Sequence, residues 1–449
     1  MSSATRARSR NGRQQAARET AHQGQQQVPQ QRQPGQQPAR VGPVAPRLRT
    51  RAGSVGGMRV QQLVYVELAA ALVLVGWVIH PIALGITGAV AVGLLFFGLG
   101  RRRKRPMPEW MATVRAMKQR KREYKEPAPH GTDPAFAPAV ECDPALRTYA
   151  YADRDERTVG FVGDGTFLTA IIQVEAPDEP LRPQRGTRPL PLDLLHAALD
   201  VEDIHLESVQ LVQYTQPAPA PHVPEQAVSV RSYAPIQAQS QTPAVRLTWV
   251  ALKLDPELCA EAVTARGGGI SGAQRALLRA ADQLASRLAG LGFRASVLDE
   301  REIVTAVGIA SCVNPRANNG GAAARDGRAA RRTQESVRAW RCDDRWHTTY
   351  WVGNWPQMGP GAVQLADLTA LLTSTPVMAT TFALTAARGA LNSPALTGYV
   401  RLAARSENEL VAARRILEGR SGTARASLVR LDREQLPGLL ATLPLGGTR

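Results

Sequence analysis

Cys342-Asp343-Asp344-Arg345-Trp346-His347 is the one stretch of this 449-residue chain that combines a thiol, carboxylates and an imidazole. Paired aspartates can hold a divalent cation and support sugar or phosphoryl transfer. The same pair beside Arg345, between two runs of strand-forming residues, also suits a turn with local ion pairing. Gly267-Gly268-Gly269-Ile270-Ser271-Gly272 fits the spacing of a dinucleotide loop. Such a loop must follow a strand directly and open a helix, whereas this one joins two helical patterns. No phosphate-binding Gly-x-x-x-x-Gly-Lys-Ser/Thr and no Gly-x-Ser-x-Gly occurs. His196 and His205 fall in helix and strand-edge contexts and read as structural. The four cysteines (142, 259, 312, 342) are scattered without a Cys-x-x-Cys pair, which argues against zinc and against a disulfide framework and fits a reducing cytosol. The residues therefore assign no catalytic, cofactor-binding or metal position.

The elements that would carry these residues can be read in order. TVGFVGDGTFLTAIIQV (158–174) is two β-rich runs around Asp164-Gly165, a hairpin signal. Residues 190–200 read as a helix, 206–214 as a strand and 245–254 as another. Helices follow around Asp255–Thr264 and in ISGAQRALLRAADQLASRLAGLG, where Leu277, Leu278, Ala281, Leu284 and Leu288 share a face. FRASVLD is a strand and EREIVTAVGIA a helix. The order then recurs: helix 363–373, strands 377–385 and 398–404, and a helix opened by the capping box Ser406-Glu407-Asn408-Glu409 and closed at Gly419. A strand and a helix complete it. RASVLDEREI (294–303) resembles RASLVRLDREQL (425–436). The expectation is an α/β domain over 141–449, in two βα-type halves of about 141–313 and 333–449, joined by the loop 314–332.

Ahead of this domain, residues 63–99 are apolar apart from Glu67, His80 and Thr87. One helix of that length would span about 55 Å, nearly twice a bilayer core of ~30 Å. Pro81 cannot continue a helix and disfavours helical angles at His80. The pattern predicts a transmembrane hairpin (residues 60–100) with spans 63–79 and 82–99 and its turn at His80-Pro81. Residues 1–59 carry eleven Arg against Glu19 alone, and residues 101–126 carry eleven Lys/Arg against three Glu. Both ends being basic, the expectation is a two-span protein of the cell (inner) membrane with its N-terminus and C-terminal domain cytoplasmic. These flanks, with Glu67, account for the whole net charge of +17, so residues 127–449 are neutral. The basic balance therefore points to anionic membrane lipid, through Arg101, Arg102, Arg103, Lys104 and Arg105, and away from nucleic acid.

Residues 1–58 are rich in Gln, Arg, Gly and Pro, with few large apolar side chains. Such a tail cannot offset its ordering entropy and is expected to be disordered. In the basic segment 101–126, Trp110, Val114 and Met117 recur at helical spacing opposite Arg115, Lys118 and Arg122. This suggests an amphipathic helix at a membrane surface, or else a solvated charged linker.

The layout resembles the EccE family, the E component of the actinobacterial type VII (ESX) secretion core complex. The resemblance rests on the hairpin with its RRRK exit and on TVGFVGDGTFLTAIIQV. It rests also on RLTWVALKLDPELCAEAVTARGGG with the helix after it, and on AWRCDDRWHTTYWVGNWP. It covers roughly residues 60–449. What it implies is a non-catalytic structural subunit of a protein-translocation complex, beside the family's B, C and D components, with ATP hydrolysis in the C component. It implies no cofactor, and it carries over no enzymatic residues. The competing expectation is a membrane-anchored α/β enzyme, such as a sugar-nucleotide transferase using Asp343 and Asp344.

Overall fold

Val245–Leu254 and Pro394–Ala404 are apolar on both sides of the pleat, a pattern suited to central strands of a sheet covered on both faces. The computed structural model describes residues 54–447, except 56–57, 100, 103–104, 177–188, 218–222, 225, 233–234, 236–244, 316–329, 358–362 and 389–393. In it, twelve strands form one sheet: β1 (Arg147–Ala152), β2 (Thr158–Gly163), β3 (Leu168–Glu175), β4 (Ser208–Gln216), β5 (Val245–Leu254), β6 (Arg294–Val297), β7 (Thr333–Glu335), β8 (Trp340–Cys342), β9 (Arg345–Asn354), β10 (Ala379–Arg388), β11 (Pro394–Ala404) and β12 (Ser427–Arg430). The spatial order is β7-β8-β9-β11-β10-β4-β5-β3-β2-β1, with β6 added to β3 and β12 added to β9. Matched by place in the chain, the order reads alike from both ends. It meets at the single pair β4–β10, in register Ser208↔Ala387 to Thr215↔Thr380.

Every pairing in this sheet is antiparallel. This corrects the α/β expectation: the domain is a large antiparallel sheet with helices laid on it. The alternation of strand and helix patterns suggests βα-type halves. After the helix, however, β6 returns beside β3 running the other way, and β12 does the same beside β9. Periodicity fixes which segments are strands but not their direction.

Side chains alternate between the two faces. On β5, Trp249 and Ala251 enter one core, while Val250, Leu252 and Leu254 enter another. On β11, Tyr399 and Ala403 join the first core, while Val400, Leu402 and Ala404 enter a third. The first core runs across the whole sheet under α4 (Ala137–Cys142), α8 (Glu300–Ala310) and α11 (Gln435–Leu440). The opposite face carries α5 (Leu192–Ala197), α6 (Ala260–Ala265) and α7 (Gly269–Gly290) over one side, and α9 (Leu365–Thr373) and α10 (Glu407–Thr423) over the other. Gly160 on β2 admits the start of α8, since a Cβ there would come within 2.5–2.6 Å of the Asp299–Glu300 backbone. That helix is opened by a complete capping box between Asp299 and Glu302. For α10, Ser406 accepts from the Glu409 N–H, but the Glu409 carboxylate turns to Arg405 N–H, and the helix runs past Gly419 to Thr423.

Two helices precede the domain, α1 (Val60–Ile79) and α2 (Pro81–Leu99), separated by His80 alone. Pro81 occupies the first helical position, and His80 Nδ1 accepts the Ile82 N–H at 3.3 Å. The helices pack on each other where Gly76 meets Thr87 and Leu84, and Ala69 and Ala91 are buried. The expected transmembrane hairpin, 63–79 and 82–99, is not supported. Among the described residues no helix is long and apolar enough to cross a membrane. The two-span cell-membrane placement, with both termini cytoplasmic, is withdrawn with it.

The basic segment contains α3 (Met107–Glu123). Its apolar stripe faces the sheet domain: Thr113 and Met117 are buried, and the Arg433 guanidinium lies 5.2 Å from the Trp110 ring centre. Arg120 forms a bidentate pair with Glu335 at 3.0 and 3.2 Å. The side chains of Arg101, Arg102, Arg103, Lys104 and Arg105 lie outside the described residues, as do most of the tail 1–58 and most of the loop 314–332.

Candidate functional site: a buried arginine centre

The structure divides the stretch Cys342–His347 between two places. Asp343 and Asp344 form the turn between β8 and β9, with Asp343 at φ +52°. The Asp343 carboxylate takes a bidentate pair from Arg332 at 2.7 and 2.8 Å and accepts the Asn314 N–H at 3.3 Å. Asp344 accepts from Asn314 Nδ2 at 2.9 Å and lies 3.3 Å from Arg345 Nε. The two acids thus clip the ends of the loop 314–332. Among the described residues no group of His, Cys, Asp and Glu is placed to hold a metal ion.

His347 goes instead into the shared core, with 1% of its surface exposed. It lies on β9 directly opposite Trp340 of β8, ring centres 4.9 Å apart at 62°. Beside it lies Arg401 of β11, also 1% exposed, and this residue organises the centre. Arg401 Nη1 donates to His347 Nδ1 at 3.0 Å, and Nε donates to Thr442 Oγ1 at 2.7 Å. Nη2 donates to Thr381 Oγ1 at 3.2 Å and to the carbonyl of Ala310. These contacts join β9, β10, β11, α8 and the segment after α11.

All the hydrogen-bond acceptors that the structure places on this buried guanidinium are neutral. Part of the compensation comes from the end of α8. Ala310 is its last residue, and a helix C-terminus carries roughly half a negative charge in its free carbonyls. The chain leaves α8 by a two-bond cap: Cys312 N–H donates to Ile309 and Val313 N–H to Gly308. Cys312 occupies the left-handed position, φ +52°, that glycine usually fills, at a cost of about 1 kcal/mol. That turn carries Cys312 Sγ to 3.7 Å from Tyr214 Oη, which also accepts from Gln216 Nε2 at 2.6 Å.

Burial favours the neutral form of each titratable group here. Burial, then the nearby Arg401 and Arg345, keep His347 well below the usual imidazole range. The ring is neutral, Nδ1 is its acceptor, and Nε2 carries the hydrogen, without a hydrogen-bond partner among the described residues. Burial pushes the thiols of Cys312, Cys142 and Cys342 up, and the Tyr214 hydroxyl likewise. The one basic nitrogen is engaged by Arg401, and no thiolate stands ready beside it. Such a centre fixes geometry; it offers no free base.

Gly267 and Gly268 form the turn between α6 and α7 and Gly269 opens α7, at φ +100°, +68° and +56°. Arg275 closes this turn on the Arg266 carbonyl. His196 lies in the last turn of α5, and His205 pairs with Asp200 at 2.7 Å and touches Arg388. Reading the sequence missed Arg401, Tyr214, Thr381 and Thr442. The available signal was a single Arg between Val400 and Leu402 in an otherwise apolar strand.

Residues 242–352 match a family model described as "Putative type VII ESX secretion system translocon, EccE". The EccE assignment is supported. The EccE match runs from β5 through most of β9 and takes in α8, Cys312 and His347, while Tyr214 and Arg401 lie outside it. It supports a component of a type VII secretion translocon. No curated protein matches the chain.

Proposed function

We propose that this chain is a non-catalytic structural subunit of a type VII secretion translocon, assembling with the B, C and D components of that system. The EccE match over 242–352 carries this reading. The buried centre is consistent with a structural role: His347 and Arg401, each with 1% of its surface exposed, bond to each other inside the core. The antiparallel sheet supplies a rigid body, which we read as two similar halves, about 141–313 and 333–449, arisen by duplication. RASVLDEREI and RASLVRLDREQL occupy corresponding places in them, β6 into α8 and β12 into α11.

The exposed apolar side chains of α1 and α2, among them Trp77, Ile82 and Phe96, are the surface we assign to contact with the other components. Affinity purification of the tagged full chain from its own cells, followed by mass spectrometry, tests the assignment. B, C and D components should co-purify, and deletion of the chain should abolish type VII secretion. Recovery of the chain alone, with secretion intact in the deletion strain, would refute the proposal.

A further inference from the structure

β1 closes one end of the sheet, and among the described residues no strand lies on its outer edge. It pairs with β2 from Arg147↔Gly163 to Ala152↔Thr158 without a bulge. Gly160, opposite Ala150, turns its N–H away from β1 to the Leu298 carbonyl at 2.9 Å. The alternation of an antiparallel pair then directs the N–H and C=O of Thr148, Ala150 and Ala152 to the outer edge. Ala150 and Ala152 are exposed. The other end of the sheet is treated differently. There β7 is only three residues long, and the Glu141 carboxylate accepts the N–H groups of Arg332 and Thr333 at 2.9–3.1 Å. Exposed edges are normally blunted by Lys, Pro, a bulge or a covering element. RTYAYA contains neither Lys nor Pro.

We propose that β1 pairs with β1 of a second copy of this chain, antiparallel, about a two-fold axis at Ala150. In this register Ala150 faces the partner's Ala150, and Thr148 faces the partner's Ala152, using the outward groups on both sides. Tyr149 meets the partner's Tyr151, and Arg147 meets the partner's Asp153 at both ends. The strand is thereby self-complementary in charge, and residues 148–152 pair with themselves in full. Tyr149 and Tyr151 already pack against the core beneath α7, so the new cross-strand pairs extend an existing layer. An isologous contact of this kind closes the assembly at two copies.

The test uses the full chain carrying Ala150→Cys, whose native cysteines are all buried. Under mild oxidation the two introduced thiols face each other, and a disulfide-linked dimer is expected. Ala152→Cys, whose counterpart is Thr148, should link far less. Separately, Arg147→Glu should raise the dimer dissociation constant roughly tenfold, because two exposed ion pairs become repulsions. Adding Asp153→Lys should restore it. A monomer by light scattering at all concentrations, an Ala150→Cys chain that does not link, or a linkage at position 150 to a different protein's strand would each overturn the proposal.

Discussion

Arg401 donates to His347 Nδ1 at 3.0 Å inside a core where each residue has 1% of its surface exposed. The bond decides the tautomer of the histidine and removes its only acceptor from further use. It also makes the guanidinium the joint between α8, three strands and the C-terminal segment. Arg401→Leu should therefore leave the Ala310 carbonyl, Thr381, Thr442 and His347 without their shared donor. Hydrogen bonds from charged donors contribute about 1.5–3 kcal/mol each, and several are lost together, so a destabilisation of roughly 3 kcal/mol or more is expected. Arg401→Lys should recover little, because one ammonium cannot reach four partners in a fixed fork. Urea denaturation of the three proteins checks this; a leucine variant within about 0.5 kcal/mol of wild type would contradict it.

The same pair sets a pH dependence. The folded protein holds His347 well below the ordinary value of 6.5. Unfolded, the ring takes up a proton near that value. Below about pH 6.5 the unfolded chain therefore binds a proton that the folded chain refuses, and stability falls as the pH falls. The slope for one group is at most about 1.4 kcal/mol per pH unit, and the contribution is flat above that range. His347→Gln should reduce the loss between about pH 6.5 and 5, compared with wild type in the same denaturant series. Parallel curves for the two proteins would show that His347 is not the group responsible.

Asp343 and Asp344 differ in what they hold. Asp343 makes a bidentate pair with Arg332, and its side chain is 8% exposed, while that of Asp344 is 57% exposed. Asp343→Asn should cost about 1–3 kcal/mol, and Asp344→Asn within about 0.5 kcal/mol. If both only clip the loop ends, the double variant should still assemble and secrete at a temperature where it is folded. Loss of secretion with normal abundance and normal assembly would return the pair to consideration as a chemical site.

Much of this was legible in the residues and some was not. The β2–β3 hairpin around Asp164-Gly165, the strand 245–254 and the start of α10 at Ser406 follow from local chemistry: an αL glycine, a run of strand-forming residues, a serine N-cap. Strand direction did not follow, because β6 and β12 choose their neighbours by long-range packing. The end of α10 was misplaced at Gly419 because a mid-helix glycine costs only about 1 kcal/mol, which tertiary packing overrides. Arg401 was passed over since its partners come from positions 310, 347, 381 and 442, which no local window brings together. The apolar run 63–99 gave the right break, at His80-Pro81, and a membrane placement that the described helices do not support.

A glycine series separates the two roles open to α2. At Gly76 a side chain would collide with Thr87, whereas at Gly85, Gly88 and Gly93 nothing lies within 4 Å of an added Cβ. Gly76→Leu should therefore disturb the packing of α1 on α2. The pair Gly85→Leu with Gly93→Leu should leave that packing intact and reduce co-purification of the other secretion components. Unchanged complex yield with both leucines would place the contacts elsewhere, on the sheet domain.

The meeting of the sheet's two sides at β4 and β10 has a consequence for how the chain comes to its structure. All other ladders of the sheet join strands from one side only, so each side can assemble from nearby segments, with a modest loop-closure cost. The β4–β10 pair joins positions some 170 residues apart, and residues 441–447 then cross the seam, bonding Thr169, Ser208 and Gln210. During synthesis the first side is complete while β4 still lacks its neighbour. That interval exposes a long unpaired edge until β10 has emerged, so the seam is the aggregation-prone part of the nascent chain.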